Sequence, residues 1–166
     1  MQIRRLTLAD AADYRALRLR SFREHPEAFT TSHEELERQS LADTEKRMTA
    51  PNIKLWGAFD GDRLLGHIGL DRETRTKCRH KATLVGMYVA PEAAGRGIGR
   101  ALVDVLLADA RADGLELIVL TVTDGNAKAA GLYERCGFRS FGVEPHAIKV
   151  NGQAYGKNHM YLLIPS

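Results

Sequence analysis

Apolar residues follow two different periods along this chain, and the period predicts which segments are helices and which are strands. Spacings of three and four residues, as at Tyr14, Leu17 and Phe22, are typical of a helix with one buried face. Residues 7 and 32 each begin the spacing of a capping box, which marks a helix start. The predicted helices cover residues 7–23, 32–39 with a kinked continuation over 44–48, 98–113 and 126–136.

Shorter apolar runs with β-branched and aromatic residues predict strands. The turn sequence Asp60-Gly61-Asp62 separates two of these runs and predicts an antiparallel hairpin. The run over residues 117–122 is almost uninterrupted, which indicates a strand covered on both faces. The predicted strands cover residues 2–6, 53–59, 64–70, 82–89, 117–122, 138–143 and 160–164, with loops over 71–81 and 144–157.

Composition limits the classes of protein to which the chain can belong. Its 166 residues predict a single domain over residues 1–166, and 27% charged residues is typical of a globular protein. The net charge of +3 is too small to indicate a nucleic-acid partner, and no apolar run could cross a membrane. Cys78 and Cys136 are isolated, and the six histidines form no metal motif. We therefore expect a cytoplasmic protein without a metal.

One segment carries the strongest indication of chemistry. A predicted strand ends at Val89, and the chain then turns through Gly95, Gly97 and Gly99 into a predicted helix. Glycines let backbone amides approach a ligand, and the N–H groups of a helix start attract anions such as a pyrophosphate. The spacing GxGxGR matches neither a P-loop nor the GxGxxG of dinucleotide-binding folds, so a nucleotide-binding domain is the weaker interpretation. Alone, the segment could also be only a tight connection.

The glycine segment resembles the acyl-CoA-binding loop of the GNAT superfamily. That loop reads Gln or Arg, two variable residues, Gly, one variable residue, then Gly or Ala. Gly97 and Gly99 match the two small positions, while Ala94 replaces the first residue. A second run matches the family's Asn-x-x-Ala-x-x-Leu-Tyr-x-x-x-Gly-Phe motif. Its residues here are Asn126, Ala129, Leu132, Tyr133, Gly137 and Phe138.

The resemblance implies an α/β fold of the α+β kind. Its mixed central sheet would have six to seven strands, splayed in the middle and flanked by about four helices. Acetyl-CoA would lie as cosubstrate in the splayed gap between the strands over residues 82–89 and 117–122. The residues implied to contact it are Met87, Tyr88, Val89, Gly95, Arg96, Gly97, Ile98, Gly99, Arg100, Asn126 and Ala129.

The resemblance also implies an activity, the transfer of an acetyl group to a primary amine by direct attack through a tetrahedral intermediate. Tyr133 is the implied general acid that protonates the departing thiolate, although an isolated tyrosine at this place would be read as a core residue. A backbone N–H on the strand over residues 87–89 would stabilise the oxyanion. The general base stays open among Glu34, Glu92 and Asp124, since residues 82–86 contain no acid.

A small-molecule amine is the favoured acceptor, because one compact domain offers no evident extra surface for a large partner. We expect the first two helices and the loop over residues 144–157 to form the acceptor rim, with Glu34, His146 and Tyr155 as candidate contacts. Arg18 and Arg20 are interpreted as a solvated helix face. A protein N-terminus or lysine as acceptor, and an acyl-CoA sensor without turnover, remain open alternatives. A homodimer is the expected assembly because dimers are common in the family.

Overall fold

A computed structural model describes residues 1–166 as a seven-stranded mixed sheet with helices on both faces. The strand order is β1-β2-β3-β4-β5-β7-β6, and all neighbours are antiparallel except β4 and β5. The strands are β1 Gln2–Arg5, β2 Ile53–Asp60, β3 Arg63–Arg72, β4 Lys81–Val89, β5 Leu117–Thr123, β6 Arg139–Val150 and β7 Gln153–Leu163. The expected mixed sheet and the hairpin at Gly61 are confirmed.

Five helices accompany the sheet, and four of them have eight or more residues. They are α1 Ala11–Glu24, α2 His33–Arg38, α3 Leu41–Met48, α4 Ile98–Ala112 and α5 Ala127–Arg135. The capping box predicted for α2 is present, because Ser32 and Glu35 exchange side-chain to backbone hydrogen bonds of 2.8 and 3.1 Å. The prediction that residues 44–48 continue α2 was wrong. Ser40 begins α3 with a capping box of its own, in which its hydroxyl accepts from the Asp43 N–H.

The two faces of the sheet bury different helices. The larger core packs α4 and α5 on one face through residues such as Leu102, Leu106 and Tyr133. The smaller core packs α1 on the opposite face, where Tyr14 and Leu17 meet apolar residues of β2, β3 and β4. Each strand of the hairpin β2–β3 therefore supplies apolar side chains to both faces, which explains why its sequence reads as a continuous apolar run.

The end of the chain is a long hairpin, and the loop predicted over residues 144–157 was wrong. Strands β6 and β7 pair from Arg139 opposite Tyr161 to Val150 opposite Gln153. The pairing is irregular between Glu144 and Ile148, the stretch that contains Pro145. Because β6 is the edge strand of the sheet, a proline without an N–H removes no hydrogen bond to an outer neighbour.

Candidate active site

At the centre of the sheet, the neighbouring strands β4 and β5 are paired at one end and separated at the other. Strands β4 and β5 pair at only three positions, which join Lys81, Ala82 and Thr83 to the first residues of β5. Beyond Thr83 the two strands separate, although β4 continues to Val89 and β5 to Thr123. Backbone groups that β4 turns toward β5 in this stretch have no strand partner. The result is a gap lined by main-chain donors and acceptors.

A β-bulge in β4 lies beside the gap. His67 of β3 pairs with Tyr88 and Gly69 pairs with Val85, so Gly86 and Met87 together face a single residue of β3. Gly86 has a φ of +60°, which only glycine adopts without strain. Bulges redirect a strand and its side chains. This one aligns with the point at which β4 and β5 have separated.

The glycine-rich segment forms the start of α4 at the end of β4. Gly95 and Gly97 have φ angles of +76° and +72°, and the next regular element is α4. No carbonyl or side chain of the protein accepts a hydrogen bond from the backbone N–H groups of residues 95–100. Such a row of free donors at a helix start is suited to bind a phosphate or pyrophosphate.

The small size of Gly99 brings three elements of the site together. A Cβ at this position would lie 3.0 Å from Met87 Cε on β4 and 3.3 Å from Leu132 Cδ2 on α5. The helix start is thus held against both the bulged strand and the helix that carries the second motif. Met87 and Val89 point to this face, while Tyr88 belongs to the smaller core on the other face.

The side chains of the loop have partners within the protein. Arg96 Nη2 lies 3.1 Å from Asp60 Oδ2, and the Arg100 guanidinium contacts Asp104 and donates to the Arg135 carbonyl at 3.0 Å. Ile98 is only 3% exposed and belongs to the larger core. These side chains therefore hold the loop in place, and its backbone remains the part that is free to bind a ligand.

The second motif folds as a capped helix directly after β5. Asn126 is the N-cap of α5, and its Oδ1 accepts a hydrogen bond of 3.1 Å from the Ala129 N–H. Asn is among the strongest N-cap residues because its side chain satisfies an otherwise unpaired N–H. The position of Asn126 and Ala129 is thereby fixed at the end of β5, next to the gap.

Tyr133 lies on α5 and is almost fully buried, with 5% exposure. Its ring packs edge-on against Phe138 with centroids 5.8 Å apart. Burial raises the pKa of the Tyr133 phenol well above its ordinary value, so the group is neutral and protonated near pH 7. A protonated phenol is the form that a general acid requires.

A cavity of about 410 Å³ lies on the face of the sheet that carries α1. Its walls come from the end of α1, the connection to α2, and the tip of the β6–β7 hairpin. The Thr123 hydroxyl at the end of β5 donates to the Glu27 carbonyl at 2.8 Å, and this bond ties the α1–α2 connection to the edge of the gap. Glu34 lines the cavity, whereas His146 and Tyr155 do not.

Glu92, a candidate base, is committed to ion pairs. Arg20 contacts both of its carboxylate oxygens at 2.8 Å, and Arg63 lies 2.7 Å from one of them. These partners, Arg20 foremost, lower the pKa of Glu92 to about 2. A carboxylate with so low a pKa is a weak base. Arg20 also contacts Glu24, whose carboxylate accepts a 2.5 Å hydrogen bond from the Tyr88 hydroxyl.

Sequence reasoning missed a group of polar residues between α1, α3 and β3. His67 is 1% exposed and its Nδ1 lies 2.5 Å from the Gly86 carbonyl, at the bulge of β4. Arg18 of α1 and Arg47 of α3 are half-buried near this ring, so the interpretation of Arg18 as a solvated residue was wrong. The sequence shows only an isolated histidine in an apolar strand, and this pattern does not predict that arginines from two helices lie near it.

Comparison with known proteins identifies the family to which this fold and these motifs belong. Residues 14–138 match the Acetyltransferase (GNAT) family, so the chain belongs to that family. A mycothiol acetyltransferase from Geodermatophilus obscurus is 35% identical over 129 residues, which cover 75% of this chain and 40% of the relative. The chain spans less than two thirds of the length of the curated relatives that it matches first.

Solved structures share the fold at lower sequence identity. A ribosomal-protein-alanine N-acetyltransferase from Brucella melitensis superposes with a TM-score of 0.87 at 22% identity, covering 99% of this chain and all of that one. A phosphinothricin acetyltransferase from Sinorhizobium meliloti, solved in complex with AcCoA, gives a TM-score of 0.86 at 20% identity, with coverages of 98% and 88%. None of the helices combines the length and the apolar character that a membrane span requires.

Proposed function

We propose that the protein transfers the acetyl group of acetyl-CoA to the primary amine of a small molecule. The observation that carries this proposal is the gap between β4 and β5, which leads to the row of free N–H groups over residues 95–100. A pantetheine arm is narrow and carries amides that can replace a missing strand. The pyrophosphate would then meet the start of α4, where anions are bound best.

The reaction needs no covalent intermediate with the protein. The neutral amine attacks the thioester carbon and forms a C–N bond, and the carbonyl oxygen becomes an oxyanion. Backbone N–H groups of β4 near Met87, where β4 has separated from β5, would donate to that oxyanion. The C–S bond then breaks, the CoA thiolate leaves with the electron pair, and the nitrogen loses its extra proton to a base or water.

Tyr133 is the proposed donor of a proton to the thiolate. The raised pKa of its phenol does not disfavour this role by itself, because the burial that raises it also raises the pKa of a thiol in the same surroundings. The two groups keep a similar order of acidity, about 10 for a phenol and 8.5 for a thiol in water. Tyr133 therefore keeps its proton until the thiolate forms.

We assign the acceptor to the cavity beside α1, called the acceptor cavity below, and its size supports a small molecule. Its volume of about 410 Å³ lies in the range of roughly 300–1,000 Å³ that is usual for small-ligand pockets. The hairpin tip and the α1–α2 connection enclose it from two sides. The relative named mycothiol acetyltransferase also supports a small-molecule acceptor.

Release of free CoA thiol tests the proposal directly. Purified protein is mixed with acetyl-CoA and a panel of amino acids, diamines, polyamines, amino sugars and peptides. We expect thiol release with a small amine and little with peptides. Thiol release with peptides alone would show that the acceptor is a protein. Binding of acetyl-CoA without thiol release on any acceptor would identify a sensor.

The role of Tyr133 is tested in the same assay by Tyr133→Phe, which keeps the ring and removes the proton. We expect kcat to fall by about a hundredfold, near the lower end of the range for general acid catalysis, with KM for acetyl-CoA little changed. Tyr161→Phe, on β7 and half-buried, is the control and should retain full activity. A Tyr133→Phe variant with full kcat and an unchanged pH profile would show that water protonates the thiolate.

A further inference from the structure

Three polar side chains on α1 and α3 carry donors that lack the partners that buried groups normally have. Arg47 Nε and Thr44 Oγ1 are buried and make no hydrogen bond. The Arg18 guanidinium, half-buried on α1, makes neither a hydrogen bond nor an ion pair. Most buried polar atoms in proteins are paired, so a concentration of unpaired ones in one place requires an explanation.

Arg18 is held in place by aromatic rings and not by an acid. Its guanidinium carbon lies 5.9 Å from the ring centroid of Tyr14 and 5.4 Å from that of Phe22. Its neighbours on α1 are different, because Arg15 donates to two backbone carbonyls and Arg20 pairs with two glutamates. The rings therefore hold the Arg18 guanidinium in position, and no acidic side chain neutralises its charge.

Arg47 brings a second positive charge to the same place. The ring of Tyr14, which contacts Arg18 on one side, meets the His67 ring at a centroid distance of 5.2 Å. Burial, and to a smaller extent the charge of Arg47, lower the pKa of Arg18. The pKa of His67 is lowered mainly by burial, and the charges of both guanidinium groups lower it further. Two like charges in one partly buried region destabilise the protein unless an anion joins them.

These observations lead us to propose that Arg18 and Arg47 bind an anionic group of the acceptor, which is then an amine that also carries a carboxylate or a comparable oxyanion. The inference rests on the proposed acetyl transfer. Neither arginine lines the acceptor cavity itself, but the pair lies directly behind its wall, since Phe22 packs against Arg18 and also lines that cavity. The unpaired Thr44 hydroxyl supplies a further donor beside Arg47. Paired guanidinium groups are the side chains best suited to bind carboxylates and related oxyanions.

Direct anion binding is measured without turnover. Sulfate is titrated at low millimolar concentration and constant ionic strength, with chloride as the balancing salt and with CoA present to occupy the loop over residues 95–100, and the thermal midpoint is recorded. We expect the midpoint of the natural protein to rise with sulfate, and Arg18→Met and Arg47→Met to lose at least tenfold in apparent sulfate affinity. Methionine keeps the apolar stem that packs on the rings, so these variants should fold.

Arg111→Met is the matched control, because it removes one positive charge from an exposed position of α4 on the opposite face of the sheet. It should respond to sulfate as the natural protein does. An absent response in the natural protein, or an equal loss of response in Arg111→Met, would overturn the proposed site.

Matched amines test the link to catalysis. Amino acids are compared with their carboxamides, which present the same amine without the negative charge. We expect kcat/KM of the natural protein to be at least tenfold higher for the acids, and Arg18→Met and Arg47→Met to remove that preference while KM for acetyl-CoA stays unchanged.

The outcomes separate the two proposals. Turnover of acids and carboxamides with equal kcat/KM would contradict the anion site and leave acetyl transfer intact. Absence of turnover on any amine would contradict the proposed function, and the sulfate titration would then decide the anion site by itself.

Discussion

His67 shows how burial fixes the protonation of one side chain. Among the six histidines it alone is buried, with 1% exposure. The Gly86 carbonyl can only accept, so Nδ1 of His67 carries the hydrogen and Nε2 carries the lone pair. Burial lowers the pKa of His67 to about 3, the bond to Gly86 opposes this, and the charges of Arg18 and Arg47 add to it.

A pH dependence of stability follows. An unfolded histidine takes up a proton below about pH 6.5, whereas folded His67 does so only near its pKa of about 3. The free energy of unfolding should therefore fall as the pH is lowered from 6.5 toward 3, by up to about 1.4 kcal/mol per pH unit from this group. Urea unfolding at several pH values measures it.

His67→Asn isolates the contribution of the ring. The asparagine amide can still donate to the Gly86 carbonyl but does not titrate. Between pH 4.5 and 6.5 we expect the natural protein to lose stability more steeply than the variant. Parallel curves for the two proteins would mean that His67 is protonated in the folded state.

At the scale of elements, the start of α4 combines an unusual backbone with the proposed binding of pyrophosphate. Gly97 has a φ of +72° and no atom within 4 Å of the place where a Cβ would stand. Gly97→Ala should therefore act through backbone strain alone and cost about 1–2 kcal/mol of stability. Relief of the strain would turn loop N–H groups away, and losing one hydrogen bond to a charged ligand would raise KM for acetyl-CoA about tenfold.

Gly114, after the other end of the same helix, provides a matched control. It also has a φ of +72° and open space around it. Gly114→Ala should lose similar stability in urea unfolding but keep the KM of the natural protein. An equal change of KM in both variants would show that general destabilisation, and not the geometry of the loop, weakens binding.

The β6–β7 hairpin shows what sequence patterns could and could not predict. Gly, Asn, His and Pro between residues 144 and 157 favoured a loop, but Asn151-Gly152 was a usable hairpin signal. Both residues have positive φ, 50° and 80°, as a type I′ turn requires. The pattern failed because a bulge at Pro145 interrupts the alternation of side chains that identifies a strand.

The candidate site likewise has parts that the sequence could predict and parts that it could not. The glycine loop and the Asn126 cap are local features, so short motifs could predict their conformation. The cluster of Arg18, Arg47 and His67 is assembled from α1, α3 and β3, which meet only in the folded chain. No local pattern distinguishes these residues from solvated arginines or a core histidine, so only the tertiary structure reveals them.

At the scale of the whole molecule, the sheet consists of two antiparallel units. One contains β1 to β4 and the other contains β5, β7 and β6, and three parallel residue pairs join them. A ligand that fills the gap adds contacts to both units. Acetyl-CoA at about 100 times its Kd should stabilise the folded protein by about 2.7 kcal/mol.

This stabilisation corresponds to a rise in the thermal midpoint of roughly 5–10 °C for a domain of this size. Differential scanning fluorimetry with acetyl-CoA measures it, and adenosine, which lacks the pyrophosphate and the pantetheine arm, is the control and should produce almost no shift. A similar shift with both ligands would place the binding energy in the adenosine moiety and not in the gap.

The open centre of the sheet would also link the lifetime of the protein to the supply of its proposed cosubstrate. Proteases cleave chains that are partly opened, and the population of opened forms falls as a ligand occupies the folded state. The three residue pairs between Lys81 and Val119 are the only strand contacts that hold the two units together. When acetyl-CoA is scarce, opened molecules become more frequent and degradation accelerates, so the amount of the protein should follow the acetyl-CoA level even when its synthesis is constant.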